Sequence, residues 1–339
     1  MTFVGNIFKY FRTFFDNFTI MLFVMVALAF FWPVQGHAAV IFDHVTNIGI
    51  ALLFFLHGAK LSPTALWEGL THWRLHLIIF ASTFMLFPFL GLALRPVFEP
   101  FLNPALYLGI LYICVLPSTV QSSIAFTSIA RGNVAAAMVS ASASNILGMF
   151  LTPVLVGLFI TTQFSDSGIN SGEAALNILF MLLAPFILGQ LLRNNILPVI
   201  KRFPKIVKIV DQGSILLIVF AAFSEAISEG LWQQIAGSTL VALIVVCCVL
   251  LAIVMVGLTY FSRAMKFSTF DEIAIVFCGS KKTLASGLPM AKILFAGHPI
   301  GMLILPLILF HQIQLVVCGI LAARYARRLE SDTAQEVES

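Results

Sequence analysis

The chain has 339 residues, of which 60% are hydrophobic and 10% charged, and its formal net charge is +4. Its mean hydropathy is +1.02. A soluble domain carries roughly 25% charged residues, so this composition excludes a soluble enzyme, a nucleic-acid-binding protein and a disordered chain. The apolar runs also lack the strict alternation of a transmembrane β-strand. The sequence therefore predicts an all-α polytopic membrane protein that is embedded in the lipid bilayer.

The N-terminal segment allows two interpretations. Lys9 and Arg12 precede the apolar run 18–32, and the segment Gly36-His37-Ala38-Ala39, with three small residues, follows it. This order is typical of a signal peptide. The alternative is a first transmembrane helix, which we favour because its removal would leave an odd number of membrane spans and spoil the charge pattern of the loops.

Ten apolar segments are separated by polar or Gly/Pro clusters, and we take them as candidates for helices that cross the bilayer, each of which needs about 20 residues. We number them as spans one to ten. They cover residues 17–33, 45–60, 75–94, 104–128, 133–161, 174–192, 208–227, 234–261, 272–296 and 299–323.

The basic residues are distributed asymmetrically over the loops. Of the 19 Lys and Arg residues, fifteen lie at the two termini and in the loops after spans two, four, six and eight. One, Arg95, lies on the opposite side, and three lie within span nine. Because positively charged loops remain in the cytoplasm, we expect both termini there, and we expect the bacterial inner membrane as the location.

The ten spans divide into two sets of five. Because five is odd, the second set enters the membrane with the opposite orientation, as in the inverted repeats of many secondary transporters. The predicted domains are a first repeat over residues 1–165, a second repeat over residues 170–325 and a cytoplasmic tail over residues 326–339.

Span four is interrupted near its middle by Pro117, which removes a backbone hydrogen bond from the helix. Five hydroxyl or amide side chains surround the interruption. They belong to Ser118, Thr119, Gln121, Ser122 and Ser123. These groups either bond back to carbonyls of their own helix or bind a substrate or an ion, and we favour binding because span nine carries a corresponding interruption.

Span nine contains the polar run Gly279-Ser280-Lys281-Lys282-Thr283, about ten residues into the membrane. A lysine at that depth costs about 2.5–3.5 kcal/mol. None of the fifteen acidic residues lies near the centre of a span. The small and polar residues predict a broken helix, whose unwound backbone must be buried in protein or line a cavity. The free N–H groups of a half-helix favour an anion. A structural role for both lysines, on backbone carbonyls, is the alternative.

Span five carries polar residues at helical spacing. Ser140, Ser144 and Gly148 share one face, and Asn145 lies beside it. Small residues on one face also allow close helix packing. Ser144 and Asn145 are candidate binding residues, since an amide in a hydrocarbon environment needs polar partners.

The run of residues 279–287, with sequence GSKKTLASG, and the segment 130–135, with sequence ARGNVA, carry a family resemblance. The chain resembles the bile acid:sodium symporter family over all ten spans, and most closely its SBF-like branch. The resemblance implies a core domain of spans three, four, five, eight, nine and ten, in which the broken helices four and nine cross. It also implies a panel domain of spans one, two, six and seven, a substrate crevice between the domains, and movement of the core relative to the panel.

The resemblance further implies positions for a coupling sodium ion. Ser122 and Ser123 match a Ser-Asn pair of the family. Ser144 or Asn145 matches its hydroxyl ligands in helix five, and Thr83 matches its glutamine in helix three.

Two residues depart from the family pattern. Phe277 stands where the family has a carboxylate, and Lys281 stands where it has an amide. An ammonium group 4 Å from a sodium ion is repelled by about 4 kcal/mol at an effective dielectric constant near 20. Sodium binding of the family's usual kind therefore conflicts with the residues at this position.

The expected function is secondary-active transport of a small organic anion by alternating access, coupled to Na⁺ or H⁺. Lys281 or Lys282 would be a fixed cation that takes the place of sodium or exchanges a proton. A sodium ion at Ser122, Ser123 and Asn145 is the other arrangement considered, and no resident cofactor is expected. A passive channel or ion-flux regulator and a membrane-embedded enzyme are the alternatives, but the sequence has neither H-E-x-x-H nor G-x-S-x-G, so we do not expect an enzyme.

Overall fold

The computed structural model describes residues 17–60, 72–160, 180, 183–230, 235–295 and 300–338, with side chains up to residue 328. Within these segments the chain forms helices and no strand. In chain order the helices are α1 Asn17–Phe31, α2 Gly36–Lys60, α3 Trp73–Ala81, α4 Phe87–Ala93, α5 Arg95–Phe98, α6 Pro104–Val115, α7 Gln121–Ile129, α8 Val134–Phe159, α9 Leu183–Leu191, α10 Arg193–Arg202, α11 Pro204–Ser228, α12 Gly237–Ala264, α13 Thr269–Gly279, α14 Leu284–Leu294 and α15 Ile300–Glu338.

Six long helical segments in the described residues are apolar enough to cross a membrane. They are Gly36–Lys60, Trp73–Ala93, Val134–Phe159, Pro204–Ser228, Gly237–Ala264 and Ile300–Arg328. The bent pair α9 and α10 raises the number to seven if it forms one span. These helices confirm a polytopic α-helical membrane protein, while the count of ten spans stays a prediction. Lys9 and Arg12, which raised the signal-peptide alternative, lie outside the described residues.

Local sequence explains where several helices begin. The Asn103 side chain accepts a hydrogen bond from the Ala105 backbone N–H at the start of α6, over 3.0 Å. Asn133 accepts one from Ala136 at the start of α8, also over 3.0 Å. Such caps pair N–H groups that the helix itself leaves free.

Predicted spans four and nine are each divided into two helices. Residues 116–120 separate α6 from α7, and residues 280–283 separate α13 from α14. Pro117 lies in the first break, where it cannot donate a backbone hydrogen bond. The predicted interruptions are therefore confirmed. The crossed arrangement of the two spans that the resemblance implies stays a prediction.

The chain divides into two compact units, of which unit 1 comprises residues 1–61, 168–236 and 288–304. Within it α11 packs against α1 and α2. The Lys60 ammonium pairs with Asp211, and the Lys292 ammonium lies 2.7 Å from an Asp43 carboxylate oxygen. Lys292 therefore has a carboxylate partner at the end of its span.

Unit 2 comprises residues 62–167, 237–287 and 305–339 and contains both breaks. Within it α13 packs against α3, α7, α8 and α12. The buried Glu272 carboxylate accepts two hydrogen bonds from Arg263, each over 2.9 Å, and one from the Tyr325 hydroxyl over 2.7 Å. The boundary predicted between the repeats, at residues 165–170, lies outside the described residues, so the two repeats stay a prediction.

A short segment after α4 carries the one cation that the charge pattern places opposite the cytoplasm. Arg95 donates two hydrogen bonds to the Glu99 carboxylate, over 2.9 and 2.8 Å. The guanidinium group lowers the pKa of Glu99 below its ordinary value by this bonding. The charge of Arg95 is thus paired locally, which reduces the positive charge on that side.

Helix α8 passes the first break at a glycine. A Cβ atom added at Gly148 would lie 2.5 Å from the Cβ and Cγ atoms of Pro117, whereas one added at Gly157 would meet no atom within 4 Å. Both substitutions by alanine raise helix propensity by up to about 1 kcal/mol. We expect Gly157→Ala to keep or raise thermal stability and Gly148→Ala to lower the free energy of unfolding by about 1–3 kcal/mol through overpacking. Thermal unfolding of the purified variants checks this, and equal melting temperatures would contradict the close contact at Pro117.

Candidate functional site

The two breaks meet inside unit 2 and bond to one another. The Thr283 backbone N–H donates to the Pro117 carbonyl over 2.9 Å. The Ser118 hydroxyl donates to the Cys278 carbonyl over 2.6 Å. A broken helix leaves backbone groups without partners in its own turns, and in a membrane these groups need partners from the protein. Each break therefore provides some of the hydrogen-bond partners that the backbone of the other break needs.

The carbonyl end of α6 is capped by four residues, two from the second break and two from α8. The Lys282 ammonium donates to the carbonyls of Cys114 and Leu116, over 2.9 and 2.7 Å. Between them, the Val115 carbonyl accepts from the Thr152 hydroxyl over 2.9 Å. The next two carbonyls also accept hydrogen bonds. The Pro117 carbonyl accepts from the Thr283 backbone N–H, and the Ser118 carbonyl accepts from the Asn145 amide nitrogen over 2.5 Å. Each carbonyl from 114 to 118 thus has a donor.

The carbonyl end of α13 is capped by neutral hydroxyl groups. The pairs are Ser123 with Phe277 at 3.2 Å, Ser118 with Cys278 at 2.6 Å and Ser82 with Gly279 at 2.9 Å. The corresponding end of α6 instead accepts from an ammonium group. Both breaks thus expose a carbonyl end that is capped by other parts of the protein, but only the end of α6 is capped by an ammonium group.

Lys282 is fully buried and is held at both its side chain and its backbone. Its ammonium group donates to a third carbonyl, that of Thr83, over 2.8 Å, and lies 4.1 Å from the ring centroid of Phe87. Its backbone N–H donates to the Gln314 side-chain oxygen, and the Gln314 side-chain nitrogen donates to its carbonyl, each over 2.9 Å. Gln314 thus replaces the helical hydrogen bonds that the break removes.

Lys281 is also fully buried but has fewer partners. Its ammonium group donates to the Ser122 carbonyl over 2.8 Å. It lies 4.0 Å from the ring centroid of Phe126 and 5.3 Å from that of Phe277. Aromatic faces attract cations. Among the described residues no carboxylate contacts either lysine, so no acidic side chain balances the charge of a protonated ammonium group at this site.

Hydroxyl and amide groups surround the start of α7. The Ser122 hydroxyl donates to the Thr119 hydroxyl over 2.8 Å, and the hydroxyls of Thr119 and Ser123 are 3.1 Å apart. Asn145 and Ser144 approach from α8. The Ser144 hydroxyl accepts from the Ser118 N–H over 3.0 Å.

The start of α14 belongs to the same polar cluster. The Ser286 hydroxyl donates to the Asn145 side-chain oxygen over 3.2 Å, while the Asn145 amide nitrogen holds the Ser118 carbonyl. Gln121 and Ala285, in the first turns of α7 and α14, are exposed. The N-terminal ends of the two half-helices are thus the accessible part of the cluster.

Most of the predicted site residues lie in this cluster. Three of them do not contribute a side chain to it, because two hydroxyl groups bond within their own helix and one side chain is exposed. The Thr83 hydroxyl donates to Ile79 in its own helix, so it is the carbonyl of Thr83 that reaches Lys282. The Ser280 hydroxyl likewise donates to Val276. Gln121 is exposed to the surroundings.

Several residues of the cluster were not among the predicted site residues. The most important are Ser82, Phe87, Phe126, Thr152, Ser286 and Gln314. Gln314 could have been found by the argument used for Asn145, because an amide within an apolar span needs polar partners. Phe87 and Phe126 gave no signal, since 33 phenylalanines occur in the chain.

The pair Gln314 and Gln312 offers a direct test of the backbone clamp. We expect Gln314→Leu to leave the buried N–H and carbonyl of Lys282 unpaired, and each such group costs about 1–3 kcal/mol. The Gln312 amide nitrogen has no hydrogen-bond partner in the described part of the chain, so Gln312→Leu should not lower stability. Thermal unfolding of both variants checks this, and an equal loss in both would mean that the clamp contributes nothing.

Sequence comparisons assign this helical membrane protein to a class of transporters. The profile of the SBF-like CPA transporter family matches residues 16–327, and the chain belongs to that family. It is 56% identical over 324 residues to "Uncharacterized protein PA2026" of Pseudomonas aeruginosa, which covers 96% of this chain and 97% of the relative. It is 50% identical over 324 residues to "Putative symporter YfeH" of Escherichia coli, with the same coverage.

A third relative is "Sodium/bile acid cotransporter 7" of Rattus norvegicus, 28% identical over 280 residues and covering 82% of each chain. These findings confirm the resemblance to the bile acid:sodium symporter family and its SBF-like branch. The protein is an integral membrane transporter and not an enzyme.

Proposed function

We propose that the protein is a secondary-active transporter that moves a small organic anion by alternating access. The observation that carries this proposal is the pair of buried lysines where the two breaks meet, Lys281 and Lys282, neither of which contacts a carboxylate among the described residues. A buried positive charge without a carboxylate partner favours an anionic ligand.

The backbone at the breaks also favours an anionic ligand. The carbonyl ends of α6 and α13 are covered by donors. The opposite ends of the breaks are helix N-termini, whose first N–H groups have no intrahelical partner and carry a partial positive charge. The exposed side chains at these ends belong to Gln121 and Ala285. A carboxylate or sulfonate group is the ligand that such ends favour.

The coupling ion is Na⁺ or H⁺, and the two make different demands on the site. A sodium ion at Ser122, Ser123 and Asn145 would use their oxygen atoms, but the Ser122 carbonyl already accepts from the Lys281 ammonium. Phe277 provides only its carbonyl, to Ser123, and no carboxylate. These contacts favour coupling to H⁺ or a permanently fixed charge over sodium, although the name of the rat relative includes sodium.

The proposed orientation follows from the basic loops. Both termini lie in the cytoplasm, and a bacterial inner membrane is the proposed location. The helical segments α2, α8, α11, α12 and α15 are each long enough to cross it.

Reconstituted uptake tests the proposed function. The purified protein is placed in liposomes and offered radiolabelled taurocholate and a panel of smaller carboxylates and sulfonates, with a sodium gradient, a pH gradient or neither. We expect at least one anion to accumulate above equilibrium under one gradient. Flux that only equilibrates would indicate a channel, and absence of anion uptake under every gradient would contradict the proposal.

A further inference from the structure

Three backbone carbonyls converge on one ammonium group in unit 2. They belong to Thr83, Cys114 and Leu116, and their oxygens lie 2.8, 2.9 and 2.7 Å from the Lys282 side-chain nitrogen. The ring centroid of Phe87 lies 4.1 Å from the same atom. An ammonium group has three N–H donors, so all three are used. We call these three carbonyls and the ring the carbonyl cage.

The three carbonyls of the cage are brought together by the backbone of the fold and not by the lysine side chain. Cys114 and Leu116 lie at the end of α6, whose last carbonyls lose their helical partners because Pro117 ends the helix. Thr83 lies in a π-helical turn, Ser82–Leu86, between α3 and α4. Such turns change the backbone hydrogen bonds of a helix and are frequent at functional sites. The three oxygens are therefore brought together by two independent irregularities of the backbone.

The environment of the cage suits a monovalent cation. Backbone carbonyls can replace the hydration shell of an alkali ion, and an aromatic face adds further attraction. Among the described residues no carboxylate contacts Lys282. The cage therefore offers carbonyl dipoles but no negative charge, which suits a monovalent cation better than a divalent one. Gln314 fixes the Lys282 backbone on both sides, which aims its side chain into the cage.

Lys281 does not have this arrangement although it is the adjacent residue. Its ammonium group has one carbonyl partner, that of Ser122, and two aromatic rings. It is equally buried. Lys281 is therefore a matched control for the effect of removing a buried lysine.

We propose that the carbonyl cage is a monovalent-cation site that the Lys282 ammonium occupies as a tethered ion. When the side chain is removed, the cage binds Na⁺, K⁺ or a small primary ammonium ion from solution. The inference goes beyond the proposed function, because it concerns a positioning residue and holds whatever solute is transported. It is tested by protein stability, so that its failure and the absence of anion transport are separate results.

The test is chemical rescue of Lys282→Ala. The atoms removed correspond to n-propylammonium, so this ion is the first probe, followed by methylammonium, Na⁺ and K⁺, with choline at equal ionic strength as a cation too large for the cage. We expect the melting temperature of Lys282→Ala to fall by about 5 °C or more and at least half of the loss to be recovered, with saturation, by one of the small cations. Lys281→Ala should show no comparable recovery.

Lys282→Met covers the case in which Lys282→Ala yields no folded protein. Methionine fills most of the space but leaves the three carbonyls without donors, so it should lower the melting temperature more than Lys281→Met does. Failure of both Lys282 variants to fold, when both Lys281 variants fold, would support a cage that requires a cation. The proposal is overturned if Lys282→Ala folds and no small cation stabilises it more than choline, or if the Lys281 variants are affected as strongly as the Lys282 variants.

Discussion

Replacing Lys281 with glutamine is expected to reduce organic-anion uptake by at least about tenfold while leaving the protein folded. The Lys281 ammonium has one carbonyl partner and two aromatic neighbours, so its removal exposes few unpaired groups. Glutamine can still donate to the Ser122 carbonyl, but it carries no charge. Interactions with a charged group contribute about 1.5–3 kcal/mol, and 1.4 kcal/mol corresponds to a factor of ten in binding.

The control for this variant is the third lysine of predicted span nine. Lys292 pairs with Asp43 in unit 1, and Lys292→Gln should retain most of the uptake. Initial rates in proteoliposomes, normalised to the amount of folded protein, separate the two variants. Equal rates for Lys281→Gln and the wild-type protein would remove Lys281 from the transport site.

Asn145→Leu is the second variant from which we expect a large loss of uptake, again about tenfold or more. Asn145 is bonded to both half-helix starts, through Ser118 at the first break and Ser286 in α14. Leucine keeps the approximate volume and removes both bonds. The Ser118 carbonyl then lacks this donor, and the first turn of α14 loses its link to α8. Each lost bond to a buried group costs about 1–3 kcal/mol.

A conservative change on the same helix provides the comparison. Ser142→Ala alters a partly buried hydroxyl three residues earlier, and it should leave uptake near the wild-type rate. Thermal unfolding of both variants distinguishes loss of the site from loss of the fold. Full uptake by folded Asn145→Leu would show that the link between the breaks is dispensable for transport.

The positions of the breaks could be predicted from the sequence because they depend on local chemistry. Pro117 lacks a backbone N–H and is followed by a cluster of hydroxyl side chains, whereas Pro153 and Pro306 stand in apolar surroundings and lie inside continuous helices. The polar run at residues 280–283 likewise stands out in an apolar segment. The family was also recognisable, since the run at residues 279–287 is specific. Long apolar helices followed directly from composition.

The partners of the two lysines could not be predicted in the same way. In a regular helix adjacent side chains point about 100° apart, but residues 280–283 are not helical, so no periodicity fixes their directions. The cage of Lys282 also requires the Thr83 carbonyl, which becomes available in a π-helical turn without an evident sequence signal. Thr83 was predicted as a site residue through its hydroxyl, whereas its backbone makes the contact.

Gln314 illustrates a second limit. It lies 32 residues after Lys282 along the chain, and the sequence shows only that an amide occurs in a long apolar helix. Its two bonds to one backbone depend on how α15 packs beside the second break. Tertiary packing of that kind is not encoded in a local sequence pattern. The sequence could therefore predict that the Gln314 amide needs polar partners, but not which residues provide them.

The central claim, alternating access at the breaks, is tested most directly by side-specific labelling of one introduced, exposed cysteine, while the buried native cysteines Cys114, Cys247, Cys278 and Cys318 stay in place and the variant without the introduced cysteine gives the background. Cys248, the exposed native cysteine in the described residues, is replaced by serine, and Ala285→Cys places a thiol at the exposed start of α14. Ser228→Cys and Arg327→Cys are the controls, predicted to lie on opposite faces of the membrane. The probe is the membrane-impermeant sulfonatoethyl methanethiosulfonate, applied to right-side-out and inverted vesicles.

We expect each control to react from one face only and Ala285→Cys to react from both faces, because the start of α14 opens alternately to each side. Reaction of Ala285→Cys from a single face, or from neither, would contradict alternating access at this site.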